Sequence, residues 1–207
     1  ILIFSNSEAR EVPVAVRAGR DNVYGYVKLA APKGWTVAPS THQINIAKKG
    51  DSQSLIFTIT PPEGQSVGSL KSTVYVGGQE YTKELIEIEY EHIPYQNVLL
   101  PAEAKLVRID IQKKGQSIGY IDGAGDAIPE NLKQIGYQVS TIDPNDLGTA
   151  DLSEFDAIVV GIRAYNTIPE LAFKNKDLHE YVSNGGTLLL QYNTRHRLVT
   201  DELAPYP

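Results

Sequence analysis

The sequence predicts two domains of different class, an all-β sandwich followed by a three-layer α/β domain built on a parallel sheet. Three observations predict it. From Glu11 to about Tyr90 apolar residues recur with period two, and no stretch there has helical spacing. After residue 115, short and nearly unbroken apolar strands alternate with helix-like segments, the pattern of a parallel sheet covered on both faces. The chain's 207 residues suit one large domain or two small ones, with enough length to bury a core.

In the first half Val12, Val14 and Val16 alternate with Pro13, Ala15 and Arg17, while Leu55, Phe57 and Ile59 share one strand face. Val74 and Val76 mark a further strand. Ile86, Ile88 and Tyr90 alternate with Glu87, Glu89 and Glu91, which predicts an apolar inner face and a solvated acidic one that discourages edge pairing. Turn residues punctuate these runs at 18–22, 32–34, 48–51, 61–64 and 77–78. The result reads as an immunoglobulin-like antiparallel sandwich of about seven short strands over residues 1–92. Pro94 and Pro101 mark residues 93–104 as a linker, with room for an added strand at Leu106–Ile111.

The second domain spans 105–207. Its expected strands are Ser117–Ile121, Tyr137–Ile142, Asp156–Ile162 and Thr187–Gln191. One helix is expected over Asp126–Gly136, with Ile128, Leu132 and Ile135 on one face, and another over Leu171–Asn184, ending at Gly185-Gly186. Doubly wound sheets commonly have about five or six strands, so this domain reads as truncated. A chain that begins at Ile1 and contains no Met reads as a piece of a longer polypeptide.

Composition narrows the function classes. The net charge is −6 and no basic stripe occurs, which argues against nucleic-acid binding. No apolar stretch approaches the roughly 20 residues of a membrane helix. With no Cys there is no disulfide, thiolate metal site or Cys nucleophile. His42, His92, His179 and His196 show no metal-ligand spacing, and no Gly-x-Ser-x-Gly elbow is present. No metal site or catalytic residue is expected in this chain.

The candidate binding residues cluster by position. Tyr120-Ile-Asp122-Gly123-Ala-Gly125-Asp126 lies where a strand hands over to a helix. Ile128 stands where a nucleotide loop would carry its third glycine, and two carboxylates would repel phosphate. This segment therefore reads as a tight turn with Asp126 as helix N-cap. Open α/β sheets bind ligands beyond the carboxyl ends of their strands. Those ends gather Asp122, Asp126, Arg163, Tyr165, Asn166 and Asn193, side chains suited to a sugar or a carboxylate. The turn Asp143-Pro144-Asn145-Asp146 lies at the same end. Trp35, the one Trp, either anchors the sandwich core or stacks on a sugar ring. The 12 Tyr residues form no stripe along the sequence.

The motif Pro32-x-Gly34-Trp35-x-Val37-x-Pro39 within short strands resembles the β-sandwich associated with α-galactosidase and other glycan-processing enzymes. After it come Ile88-Glu-Tyr90-Glu-His92-Ile93-Pro94-Tyr-Gln96 and Gly119-Tyr-Ile-Asp-Gly123-Ala-Gly125-Asp126. Val160-Gly161-Ile-Arg163-Ala-Tyr165-Asn166 and Asn184-Gly-Gly186-Thr-Leu-Leu-Leu-Gln191-Tyr-Asn193-Thr194 follow. In this order they resemble the region downstream of the catalytic domain in large PIG-L (LmbE-like) de-N-acetylases of Bacteroidetes type. The second half resembles a class I glutamine amidotransferase-like, flavodoxin-like domain, silent here for want of the Cys nucleophile. The resemblance implies an N-terminal, zinc-dependent catalytic domain with a His-Pro-Asp-Asp motif, which this sequence lacks. Zinc is thus expected only outside this chain. It also implies an envelope, periplasmic or secreted setting.

The expectation is a non-catalytic accessory region of a glycan- or glycolipid-directed de-N-acetylase. It would position the catalytic domain of the same polypeptide or hold a glycan. The alternatives are an independent small-molecule-binding or hydrolytic α/β domain with its site at the strand ends, and a structural spacer or oligomerisation module.

Overall fold

The structure, a computed structural model, describes residues 1–204. The last three residues of the expected second domain, 205–207, lie outside the described residues. The chain divides into two compact units, one ending at Asp110 and the other beginning at Ile111. No described helix is long and apolar enough to cross a membrane.

The first unit is all β. Its strands are β1 (Leu2–Phe4), β2 (Arg10–Arg17), β3 (Val23–Ala30), β4 (Thr36–Ala38), β5 (Thr41–Ile46) and β6 (Ser52–Thr60). Then follow β7 (Ser66–Val76), β8 (Gln79–Tyr81), β9 (Lys83–Ile88), β10 (Gln96–Pro101) and β11 (Glu103–Arg108). One sheet runs β1-β11-β7-β3-β5 with β8 added beside β7, and a second runs β2-β6-β4. Strands β9 and β10 form a separate two-stranded ribbon. The alternating apolar residues of the two larger sheets meet in one core, where Val27, Phe57, Ile59 and Leu106 are fully buried. This is the expected sandwich with two amendments. β1 lies parallel to β11, so the pairing is not wholly antiparallel. The unit also extends beyond residue 92: β10 falls in the expected linker 93–104, and β11 pairs with β7 as part of the sandwich. Pro101 is tolerated because it closes β10, where the next residue turns into β11.

The expected flavodoxin-like, three-layer domain is not what the second unit shows. The chain is mostly β, about 42% strand and 15% helix, with several sheets in a sandwich-like arrangement. The second unit contributes only a small four-stranded parallel sheet. Its strands are β12 (Ser117–Ile121), β13 (Gln138–Thr141), β14 (Ala157–Val160) and β15 (Leu188–Leu190), in the order β13-β12-β14-β15. A doubly wound domain needs a helix in each crossover. Here α1 (Ile128–Gln134) has seven residues, and the β13–β14 crossover has no α-helix at all. Two 3₁₀ turns, Pro144–Asp146 and Leu152–Glu154, replace it. Each begins on an Asp, Asp143 or Asp151, whose carboxylate accepts the backbone N–H two residues on and closes the chain into a local turn. The last crossover holds α2 (Ala164–Thr167) and the longer α3 (Leu171–Ser183), which ends before Gly185 as the Gly-Gly pair predicts.

Candidate functional site

Of the residues expected beyond the strand ends, the structure brings some together and explains what they do. After β12 the chain turns through Gly123 and runs against the segment that follows β14. Ala124 donates its N–H to the Ile162 carbonyl at 2.8 Å. A Cβ on Gly123 would stand 2.2 Å from that carbonyl oxygen, so only glycine fits. The backbone donor a phosphate would need is thus already occupied. Asp126 lies beside this contact, one residue ahead of the N-cap position held by Ala127, and accepts from Ile128 N at 2.8 Å. Its other oxygen takes the Tyr120 hydroxyl at 2.6 Å, the Gln191 amide at 3.2 Å and Ile162 N at 3.4 Å. Partial burial pushes the Asp126 carboxyl up, but the bonds from Tyr120, Ile128, Ile162 and Gln191 together hold it below the ordinary value. Burial, then the Asp126 hydrogen bond and charge, drive the Tyr120 phenol well above its usual range. Asp126 stays ionised and Tyr120 stays protonated, so neither is poised for proton transfer near neutrality.

Asn166 and Asn193 serve the same end. Asn166 clamps the segment after β15 through both faces of its amide, donating to the Thr194 and His196 carbonyls and accepting from Thr194 N. Asn193 accepts from Tyr165 N at 3.0 Å and donates to the Gln191 carbonyl at 2.9 Å. Tyr165 is fully buried, its hydroxyl donating to Asn175, and burial pushes its phenol up to about 12. These three build the loop rather than face a ligand. Arg163 and Asp122 are exposed. Arg163 sits in the left-handed region at φ +57°, between β14 and α2, and donates its N–H to the Tyr192 carbonyl. Tyr120 and Gln191, central to the arrangement, were not among the sequence candidates. Their signal was that both stand at the carboxyl-terminal ends of expected strands. Asp143 and Asp146 stay in their own 3₁₀ turn.

In the first unit Trp35 is 6% exposed. It packs edge-on against Phe4, with ring centroids 5.2 Å apart, and donates its indole N–H to the Ser66 hydroxyl. It is a core anchor, and the sugar-stacking reading of this residue is corrected. Glu87 is not free in solvent either, since it accepts from Arg17 and from the Tyr95 hydroxyl. Among the described residues no three metal-ligating side chains converge.

The Tyr residues that form no stripe in sequence meet in space. On β3, Tyr24 and Tyr26 point away from the core, 58% and 37% exposed. Strand register sets Tyr26 beside Tyr75 of β7, and the two rings stack with centroids 4.7 Å apart and 13° between planes. On the other side register sets Asn45 beside Tyr24 and Gln43 beside Tyr26, both exposed on β5. Among the described residues, neither of these amide side chains is spent on an internal hydrogen bond. Burial, then the charges of Glu80 and Tyr26 and a hydrogen bond to Glu80, raise the Tyr75 phenol. The face therefore combines flat apolar ring surface with unspent hydrogen-bonding groups. Sequence reasoning missed it, although Tyr24-x-Tyr26 and Gln43-x-Asn45 each carry the period-two spacing that puts two residues on one face.

No protein-family profile and no curated protein matches the chain. Among solved structures, the native conformation of Escherichia coli alpha-2-macroglobulin is similar over 52% of this chain and 6% of its own, at 12% identity and TM-score 0.33. SSP-19, an MSP-domain protein-like family member of Caenorhabditis elegans, is similar over 51% and 90%, at 5% identity and TM-score 0.29. A family 123 glycoside hydrolase from Clostridium perfringens is similar over 89% of this chain and 31% of its own, at 8% identity and TM-score 0.29. This chain thus spans a small fraction of the first and under a third of the last. Likenesses this loose establish no family and carry no inference about function.

Proposed function

We propose that this chain is a non-catalytic accessory region that holds carbohydrate through the outer face of its sandwich. The observation that carries the reading is the Tyr26–Tyr75 stack flanked by Tyr24 and by the Gln43 and Asn45 amides. A pyranose ring has an apolar C–H side and a rim of hydroxyls. Exposed phenol rings meet the first and amides the second. Two further facts favour holding over turnover. The strand-end cluster of the second unit spends Asp126, Asn166 and Asn193 on its own loops, and its two titrating partners, Tyr120 and Asp126, are shifted away from neutrality in opposite directions. In the setting the sequence resemblance implies, the held glycan would be the substrate of a zinc-dependent de-N-acetylase domain on the same polypeptide. A periplasmic, envelope or secreted setting belongs to the same proposal.

The test is an NMR titration of the chain with N-acetylglucosamine oligosaccharides and their de-N-acetylated forms. Saturable shifts are expected, with affinity reduced roughly fivefold or more in Tyr24→Ala and Tyr26→Ala through loss of ring contact. The thermal transition should persist in the Tyr24 variant, whose side chain is mostly exposed. Absence of saturable binding, or binding undiminished in the double variant, would overturn the proposal.

A further inference from the structure

A second feature of the sandwich lies apart from the tyrosine face. A cleft of about 820 Å³ opens between β2 and the β9–β10 ribbon. Its floor is the inward face of β7, at Ser72, Val74 and Val76. One wall is the consecutive run Ala15–Arg20, and the other includes Leu85 on β9 and Leu99 on β10. These two leucines stand opposite one another in the ribbon and remain 49% and 58% exposed. Consecutive strand residues point to opposite sides, so a run of them along a cavity means that the strand presents its edge there. Among the described residues β2 pairs on one side only, with β6.

Register fixes which way each β2 peptide group points. In an antiparallel pair, facing residues alternate between those that exchange backbone bonds and those that turn theirs away. Pro13 faces Ile56. Pro13 has no N–H to give, and the Ile56 carbonyl accepts from His42 Nε2 of β5 at 2.7 Å, so this pair turns its groups away. Ala18, in the opposite phase, bonds toward β6, donating to the Asp51 carbonyl at 2.9 Å and accepting from Gly50 N at 2.8 Å. Ala15 and Arg17 share the phase of Pro13, so their N–H and carbonyl groups point along the open edge at the cleft. Both residues are exposed, and among the described residues no other strand or loop bonds their backbone. The wall thus offers donor, acceptor, donor, acceptor at the repeat of an extended chain, beside an apolar floor. Another extended polypeptide is what presents the matching groups at that repeat. The Arg17–Glu87 pair ties the two walls together, but it is exposed and holds them weakly.

We propose that this cleft takes up an extended polypeptide segment of a partner, which adds to β2 as a strand over Ala15–Arg17. Its alternate side chains are apolar and lie over Val74, Val76 and the ribbon leucines, while those between are polar and face solvent. The site is independent of the carbohydrate reading and stands or falls without it. The probe is a short capped peptide of alternating Val and Thr with Lys at each end, titrated into the full chain and followed by amide NMR. Saturable binding at one site per chain is expected, and hydrogen exchange at the Ala15 and Arg17 amides should slow roughly tenfold or more. An added strand uses only one of its own two edges. N-methylation of the Val set or of the Thr set, whichever faces β2, should therefore abolish binding, and methylation of the other set should leave it. Ala15→Pro removes an edge donor and spares the bonds to β6, as Pro13 already does, and should weaken the peptide roughly tenfold or more. A thermal melt checks its folding, and if it does not fold, Leu99→Glu at the exposed ribbon position decides, with a similar loss expected. Absence of saturable binding overturns the proposal, as do equal effects of the two methylated sets or unchanged affinity in a folded variant. Protection of Ala15 and Arg17 that rises with protein concentration alone would make a second copy of the chain the occupant, and would overturn it too.

Discussion

At Asp126 four donors converge on one carboxylate: the Tyr120 hydroxyl, the Ile128 and Ile162 amides and the Gln191 side chain. Three separate segments are fastened there, namely the ends of β12 and β15 and the residues after β14. The Tyr120 hydroxyl also accepts from Gln191 at 3.2 Å, so its removal loosens two contacts together. Tyr120 is 1% exposed, so water does not readily replace its partner. Tyr120→Phe should therefore destabilise the chain by about 1–2 kcal/mol, the cost of a charge-assisted bond to a partly exposed acceptor. Urea denaturation followed at 222 nm measures it. A loss under about 0.5 kcal/mol would mean the hydroxyl is not what fastens the loops. Losing this donor also raises the Asp126 pKa toward its ordinary value, because one of the bonds favouring the ionised form is gone.

At the scale of elements, the β9–β10 ribbon is the weakest-held part of the sandwich. Among the described residues its strands pair only with each other, and a two-stranded ribbon alone is marginal in water. Its tethers are the Arg17–Glu87 ion pair and the backbone bonds Ala102 N to Thr82 O and Ser72 N to Ala102 O. Amide hydrogen exchange should accordingly be faster in 83–88 and 96–101 than in β3, β6 and β7. Arg17→Ala should speed the ribbon amides and leave the core strands unchanged. Uniform protection across the unit would show that the ribbon opens only with the whole sandwich. The ribbon also marks where the sequence stopped being legible. β2, β6, β12 and α3 follow from local periodicity and caps, because each owes its place to its own alternating or helical apolar pattern. β10 does not, and β11 does only in part, as the added strand allowed for at Leu106–Ile111. Pro94, Pro101 and interspersed charges read as a linker over β10, which only pairing with β9 makes a strand, while pairing with β7 and β1 fixes the start and end of β11. In the β13–β14 crossover the turn expected at Asp143-Pro144-Asn145-Asp146 is a 3₁₀ turn capped by Asp143, and a second, capped by Asp151, follows it where no helix was expected. The tyrosine face was hidden for a related reason. Tyr26 and Tyr75 are far apart in sequence, and register, which no single run encodes, sets them side by side.

Across the whole molecule, titrating groups divide unequally between the two units. Asp143, Asp151 and Asp156 in the second unit are held below the ordinary carboxylate value near 3.8 by hydrogen bonds from Asn145, from Ser153, and from the Gln116 and Ser117 amides. Asp126 joins them, its burial outweighed by its four donors. In the first unit Glu87 is held low, by Tyr95 and then Arg17. A carboxylate whose folded pKa lies below its unfolded one stabilises the fold above the unfolded value, and that contribution is lost as pH falls through the folded value. Acid should therefore weaken the second unit first, from about pH 4 downward, with no change from these groups above about pH 5. The two units report separately. All α-helix among the described residues lies beyond Ile111, so ellipticity at 222 nm weights the second unit. The chain's one Trp, Trp35, is buried in the core of the first. In thermal melts between about pH 5 and pH 3, the helix-reported midpoint should fall further than the Trp35-reported one. Asp156→Asn should flatten part of that dependence, since its carboxylate is the sole acceptor shown for both the Gln116 and Ser117 amides at 2.7 and 2.9 Å. Midpoints that fall together, or an Asp156 variant with an unaltered pH profile, would show that these local bonds do not govern the acid stability of the unit.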